Sequence, residues 1–347
     1  MKNVRFDKSG AEPVFRFVNT DGNEDRIEYH PSIKGLWKDI DTSNFSVDLL
    51  INPILNRASN VFNIRRDDDS NERVGMIFPV TALDTDDSFE QTGMCNYAFV
   101  AFQTLLERLH EIEDSDADFS DNFEGNICVC VFNLKTLGIE NPLHLCMNSL
   151  RKYGYSFFEN DNKIEPVAGY KADKYVPDGV GNIEVKFEEP KLYSNPIIEM
   201  LMRELPHAHN VIHRFVLLYQ VIEILMETIA LRKINEEIDK LKRHEIPHND
   251  FLDNLKNIGT EKARIVEIFK ICGLTANEFS CFKAPCQNLY TLAGYVPDND
   301  SEKSLLFYSF RNVMTHSFRT LHAYPVEVAE TVQGFERVIL TIMEKYK

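Results

Sequence analysis

The sequence predicts two folds in series: an α+β domain over residues 1–190 and an all-helical bundle over residues 191–347. Three observations carry this. The chain has 347 residues, more than one hydrophobic core usually serves. Before Pro190 the apolar residues come in short runs between turn residues, the pattern of strands; from Ile197 they recur at helical spacing. The charge is divided too. Residues 1–190 hold 19 Lys and Arg against 34 Asp and Glu, a net −15; residues 191–347 hold 19 against 20, a net −1. Glu188-Glu189-Pro190 marks the joint.

In the first domain, Val4–Asp7 is a short strand. Val14–Val18 and Asp25–Tyr29 flank Thr20-Asp21-Gly22-Asn23, a hairpin signal. Ser46–Leu55 is apolar and fits strand or helix. Val74–Thr81 reads as a strand interrupted by Pro79, and therefore an edge. Gln91–Glu113 reads as a long helix, with Tyr97, Phe99, Phe102, Leu105, Leu106 and Leu109 at helical spacing. Asn126–Leu134 is apolar on both faces, which predicts a central strand. A helix over Pro142–Tyr153 and strands at Tyr155–Phe158 and Asn182–Phe187 complete the domain.

In the second domain, Pro196 or Pro206 can open a helix. Ile212–Arg232 carries Phe215, Leu218, Tyr219, Ile222, Leu225, Met226 and Ile229, a wide apolar face. Phe251–Ile258, Thr260–Cys272 and Ala276–Leu292 follow, with Asn249 and Thr260 as N-caps and Gly273 as a stop. Asp298–Ser301 forms the loop and cap of the next helix, and Pro325–Tyr346 closes a bundle of five or six helices.

That next helix, Leu305–Phe318, organises the chain. With Leu306 at zero and about 100° per residue, Phe307, Phe310, Val313, Met314 and Ser317 share an arc of about 120°. Tyr308, Arg311, Asn312, Thr315 and His316 take the opposite arc. Asn312 and His316 are i,i+4 neighbours, with Arg311 on the other flank of the polar face. Arg311-Asn312, three residues and His316, behind an aromatic-rich start, resembles the Arg-x4–6-His signature of HEPN domains, including the polar residue after the Arg. His213–Glu223 resembles the opening helix of ApeA-like HEPN proteins: an aromatic, Tyr219, then Glu223 four residues on. The resemblance covers residues 191–347 alone and implies an all-α HEPN-like helical bundle there.

The resemblance implies an endoribonuclease that works without metal or cofactor. The RNA 2′-hydroxyl attacks the adjacent phosphate, leaving 2′,3′-cyclic phosphate and 5′-hydroxyl ends. The residue types suit this. A histidine such as His316 can move protons near neutral pH. Arg311 offers a permanent forked charge to the phosphorane oxygens, and Asn312 can orient the His or the phosphate. Tyr308, Thr315 and Glu223 are the expected supports; a buried Glu223 would need Arg311 or His316 as donor. One Arg and one His are too few for acid, base and clamp, and the family's answer is a homodimer in which two motif helices face each other. Such enzymes act as toxins or in abortive anti-phage defence, so an antitoxin or regulatory partner is expected, with the acidic domain as sensor, brake or substrate selector. The alternative is a non-catalytic HEPN module that binds a nucleotide or a protein.

Other patterns are weaker. Asp114–Asp121 has some look of a calcium loop, but the Gly and the closing Glu are not at the required spacing, which leaves a solvated loop. Cys281 and Cys286 have no nearby His pair for zinc. Pro177-Asp178 with Glu184-x-Lys186 resembles a metal-dependent nuclease site, but the spacing is short for two paired strands. A net charge of −16 excludes a globally basic nucleic-acid binder. Seven scattered Cys without Cys-x-x-Cys read as reduced, buried thiols. No run of 18 apolar residues and no signal peptide is present, so a cytoplasmic protein without membrane contact is expected.

Overall fold

A computed structural model describes residues 3–7, 14–18, 24–29, 40–67, 72–84, 95–108, 119–123, 125–158, 164–175, 181–296 and 302–346. The chain divides into two units: residues 1–164 with 172–188, and residues 165–171 with 189–347. The sequence places the joint at residue 190. The structure adds that the short segment 165–171 belongs with the helices.

The first unit holds two sheets. β1 (Asn3–Asp7), β2 (Val14–Val18) and β3 (Glu24–Tyr29) pair antiparallel with β2 in the middle. The residues of the expected 20–23 turn lie outside the described ones. The larger sheet contains β4 (Phe45–Ile51), β5 (Phe62–Arg66), β6 (Arg73–Pro79), β7 (Ile127–Asn133), β8 (Ser156–Phe157) and β9 (Asn182–Val185). Its order is β8-β4-β7-β6-β5-β9, antiparallel except for the β5–β9 pair. The ambiguous stretch from Ser46 is thus a strand. β6 corrects the sequence reading: it is interior, between β7 and β5. Pro79 is its last residue, and the chain turns at once into Val80–Asp84, so the missing N–H falls at the strand's end.

β7 is buried on both faces, as its unbroken apolar run requires. Ile127, Val129 and Val131 pack with α1 (Cys95–Arg108), through Phe99, Phe102, Leu105 and Leu106. The other ends of the long helix expected here, including Leu109, lie outside the described residues. The alternate side chains Cys128 and Cys130 point the other way. Burial pushes the Cys128 thiol up to about 12. Burial, and then proximity to Cys146 of α2 (Pro142–Arg151), raises Cys130 well above its ordinary value. Such thiols stay protonated and inert.

The second unit is helical: α3 (Pro196–Glu204), α4 (Val211–Lys242), α5 (His248–Ile258), α6 (Glu261–Cys272), α7 (Ala276–Leu292), α8 (Lys303–His316) and α9 (Pro325–Lys345). Local chemistry sets the ends. Asn195 caps α3, which starts at Pro196, and Asn210 caps α4. Thr275 and Glu278 form a reciprocal capping box on α7. Thr260 caps α6, and Gly273 stops it at φ 55°. The N-cap expected at Asn249 is not there: α5 starts after Pro247, without a side-chain cap. Among the described residues of this unit there are seven helices longer than one turn, where five or six were expected. Six supply the core, and α5 buries none of its residues.

α9 is the centre. From Thr331 to Met343 only Arg337 is less than fully buried. Phe335 stacks on Phe307 at 4.5 Å and lies 5.3 to 5.9 Å from the rings of Phe215, Phe310 and Phe282. Glu336 is buried beside it and receives Arg214 of α4 through two bonds of 2.7 Å. The Arg214 Nη1 also donates to the carbonyl of Leu205, and the Tyr170 hydroxyl donates to Glu336. The backbone of Lys171 exchanges two hydrogen bonds with Gln333. Segment 165–171 is therefore sewn to α9.

Candidate active site

The site is built on α8. Leu306, Phe307, Phe310, Val313 and Met314 are buried, which is the apolar stripe that helical spacing predicts. The helix ends sooner than expected, at His316; Ser317 leaves helical geometry, and Phe318–Leu321 is a separate turn. The expected cap at Asp298–Ser301 lies outside the described residues. Glu302 holds the N-cap position; its carboxylate accepts from the Ser304 hydroxyl at 2.8 Å and caps no backbone N–H. Tyr290 of α7 donates to Ser309 at 3.3 Å, which pins the middle of α8.

On the outward arc, Tyr308, Arg311 and Asn312 are half-buried, and Thr315 and His316 are exposed. Arg311 is held on three sides. Its guanidinium carbon lies 5.3 Å from the ring centroid of Tyr219, in α4. Its Nη1 donates to the Asn312 Oδ1 at 3.0 Å. Its Nε lies 3.0 Å from Oε1 of Glu261, the first residue of α6. That contact pairs the charges without the alignment of a hydrogen bond, since Nε is buried with no hydrogen-bond acceptor. The Tyr219 hydroxyl donates to the same Oε1. Burial, and then this carboxylate, push the Tyr219 phenol far above its ordinary range, so it stays a donor.

The structure therefore brings Arg311 and Asn312 into contact. Among the described residues His316 has no hydrogen bond or ion pair, at the end of the same helix. The Thr315 hydroxyl bonds back to the Arg311 carbonyl at 2.9 Å, and Tyr308 packs against the rim of the core. Glu223 is exposed, so the donor that a buried Glu223 would have required is not called for. The carboxylate at Arg311 is Glu261. Sequence reasoning missed it because its only local sign, an acidic residue in the first turn of a helix, is common.

The other patterns resolve plainly. Glu184 is exposed on the edge strand β9, Lys186 pairs with Asp67 at 3.5 Å, and Pro177-Asp178 lies outside the described residues, as does 114–118 of the acidic loop. Cys286 is buried, whereas the Cys281 thiol bonds to the carbonyls of Glu278 and Gly334. Among the described residues no three His, Cys, Asp or Glu side chains are grouped to hold a metal ion, and no helix is long and apolar enough to cross a membrane.

Fold and site together define a protein with a mixed-sheet unit and a helical unit that displays an Arg–Asn pair and an exposed His from one helix. Comparison with models of known families, with curated proteins and with solved structures returns no match.

Proposed function

We propose that the helical unit is a metal-independent endoribonuclease of HEPN type, acting as a toxin or an anti-phage effector. The supporting observation is the outward arc of α8. It presents Arg311, fixed by Tyr219, Asn312 and Glu261, and an exposed His316, on a helix whose other face is filled by core. The roles follow from the chemistry. Arg311 stabilises charge developing on the scissile phosphate. His316 moves the proton of the 2′-hydroxyl or of the leaving 5′-oxygen. Asn312 holds one Nη of Arg311 in place. One chain supplies a single acid–base group, so the working unit is a homodimer with two motif helices across one groove.

One observation favours a second reading. Glu261 pairs with Arg311, and Glu223 acts on the neighbouring Tyr219 phenol; carboxylates at the arginine weaken its pull on a polyanion, as suits a module that binds a nucleotide or a protein without cutting RNA. The deciding experiment incubates pure protein with single-stranded RNA in EDTA and maps the ends. Cyclic-phosphate products from wild type and none from His316→Ala support the nuclease. Intact RNA with both proteins supports the binding module.

A further inference from the structure

Arg311 carries five N–H donors in a rigid fork. Its guanidinium carbon lies over the Tyr219 ring, its Nε faces Glu261, and one Nη1 hydrogen goes to Asn312. Glu261 engages the Nε side through Oε1 alone, and that oxygen also receives the Tyr219 hydroxyl. A carboxylate that satisfied the arginine would take two parallel bonds, as Glu336 does with Arg214. Glu261 does not. Nη2 and the second Nη1 hydrogen have no acceptor among the described residues, and the side chain keeps 20% of its surface exposed. The fork is gripped at its base and open at its tip.

We infer that Tyr219 and Glu261 are positioning residues for Arg311, holding its guanidinium by one face and one edge so that the Nη end meets a phosphodiester of the RNA chain. This rests on the ribonuclease reading of the same site. The three groups come from α4, α6 and α8, so the orientation of Arg311 is set by the bundle and not by its own helix. Tyr219 acts twice: its ring closes one side of the guanidinium, and its hydroxyl fixes the carboxylate that holds the Nε edge. A phosphate arriving at the tip finds the donors already oriented, which is where preorganised charge accelerates a reaction. The pairing is not a lock that substrate must break, because Glu261 does not occupy the Nη end.

The test uses the full chain as wild type, Tyr219→Phe, Glu261→Gln, Arg311→Ala and the Glu261→Gln/Arg311→Ala pair. Both single changes at the positioning residues keep shape, and thermal melting checks folding. Two properties are read: cleavage of single-stranded RNA, and binding of an uncleavable 2′-O-methyl oligonucleotide across a salt series. Glu261→Gln should lower kcat about 10- to 100-fold with a smaller but measurable loss of RNA affinity, and Tyr219→Phe should lower kcat roughly tenfold, the scale of a misplaced catalytic group. In binding, Glu261→Gln should have no further effect once Arg311 is gone.

Variants that cleave and bind like wild type overturn the inference and leave the nuclease standing. A faster Glu261→Gln enzyme also overturns it, since Glu261 would then be a lock. If wild type does not cut RNA, the nuclease reading falls, and binding alone judges the inference: coupled losses at Glu261 and Arg311 sustain it, and equal affinities end it. If Glu261→Gln melts poorly, Tyr219→Phe decides, because it keeps the ring and removes one hydroxyl.

Discussion

Arg311 and His316 share a helix but not a setting, and the setting determines what each substitution does. His316 is exposed, so His316→Ala should change stability by no more than about 0.5 kcal/mol. Arg311→Ala uncovers the Tyr219 ring and leaves Glu261, 27% exposed, without its cation, a cost of about 1 kcal/mol. On the nuclease reading both should lose cleavage: ~10²–10⁴-fold where His316 is to move a proton, about 10²–10³-fold where Arg311 is to clamp the phosphate. Arg311→Lys should fail nearly as badly, since an ammonium reproduces neither the fork nor the stacking. Melting curves beside cleavage rates check this; two variants that fold and cut like wild type would move the site elsewhere. The arc of α8 was legible because helical spacing is local. Its partners were not. Tyr219 and Glu261 are 42 residues apart and meet Arg311 only through the packing of three helices.

At the scale of elements, α7 and α9 touch at a notch. Pro285 has no N–H to offer the Cys281 carbonyl, its partner one turn back. That carbonyl lies against Gly334 of α9. A Cβ on Gly334 would stand 2.2 Å from Cys281 O and 2.8 Å from the Phe282 Cα. Gly334→Ala gains about 1 kcal/mol of helix propensity but forces two backbones apart, and overpacking typically costs about 1–3 kcal/mol. The contact is with backbone, which cannot swing aside, so the loss should win and lower the denaturation midpoint. An unchanged or higher midpoint would mean that the helices can separate freely.

The cap of α7 makes a pH prediction. Burial pushes the Glu278 carboxyl up, but Lys345 at 2.7 Å and the donors of Thr275 outweigh it and hold the carboxyl down at about 2. A depressed carboxylate stabilises the fold fully above its ordinary 4.5, and the contribution fades as pH falls toward about 2. Glu278→Gln should melt below wild type at pH 7, and the gap should close over that interval. A gap constant from pH 7 to pH 2 would exclude the ion pair as its source. The capping pattern Thr275-x-x-Glu278 is a sequence signal; Lys345, 67 residues on, is not. The misread edge at β6 has a similar cause: a proline reports its own missing donor, and says nothing of the strands on either side.

At the scale of the whole molecule, the division into units redraws the useful fragment. Residues 165–171 supply the Tyr170 hydroxyl to the buried Glu336 and backbone bonds to Gln333. A helical fragment begun at residue 191 leaves these groups short of partners, and a buried polar group stripped of a partner costs about 1–3 kcal/mol. A fragment begun at residue 165 should therefore melt higher, even though it carries β9 along. Equal melting would mean that segment 165–171 adds nothing. Light scattering of the same fragment at micromolar concentration should find the dimer that the nuclease reading needs. A monomer that cuts RNA would contradict the paired-helix mechanism. The halves were legible through charge and periodicity; the segment that crosses between them was not, because seven residues without periodic pattern carry no sign of where they pack.

The place of Phe335 has a consequence in time. The ring that stacks on Phe307 and closes over Phe310 belongs to α9, which comes after α8 in chain order. A ribosome making this chain releases the motif with its apolar stripe covered only by the rings of α4, α6 and α7, and still bare where Phe335 will lie. Arg311 is already synthesised then, but the bundle that turns it toward Tyr219 and Glu261 is not yet closed. Whatever chemistry depends on that orientation is withheld from the nascent chain until α9 has emerged. A message broken between the codons for His316 and Pro325 would yield a product with every residue of the motif and no working site.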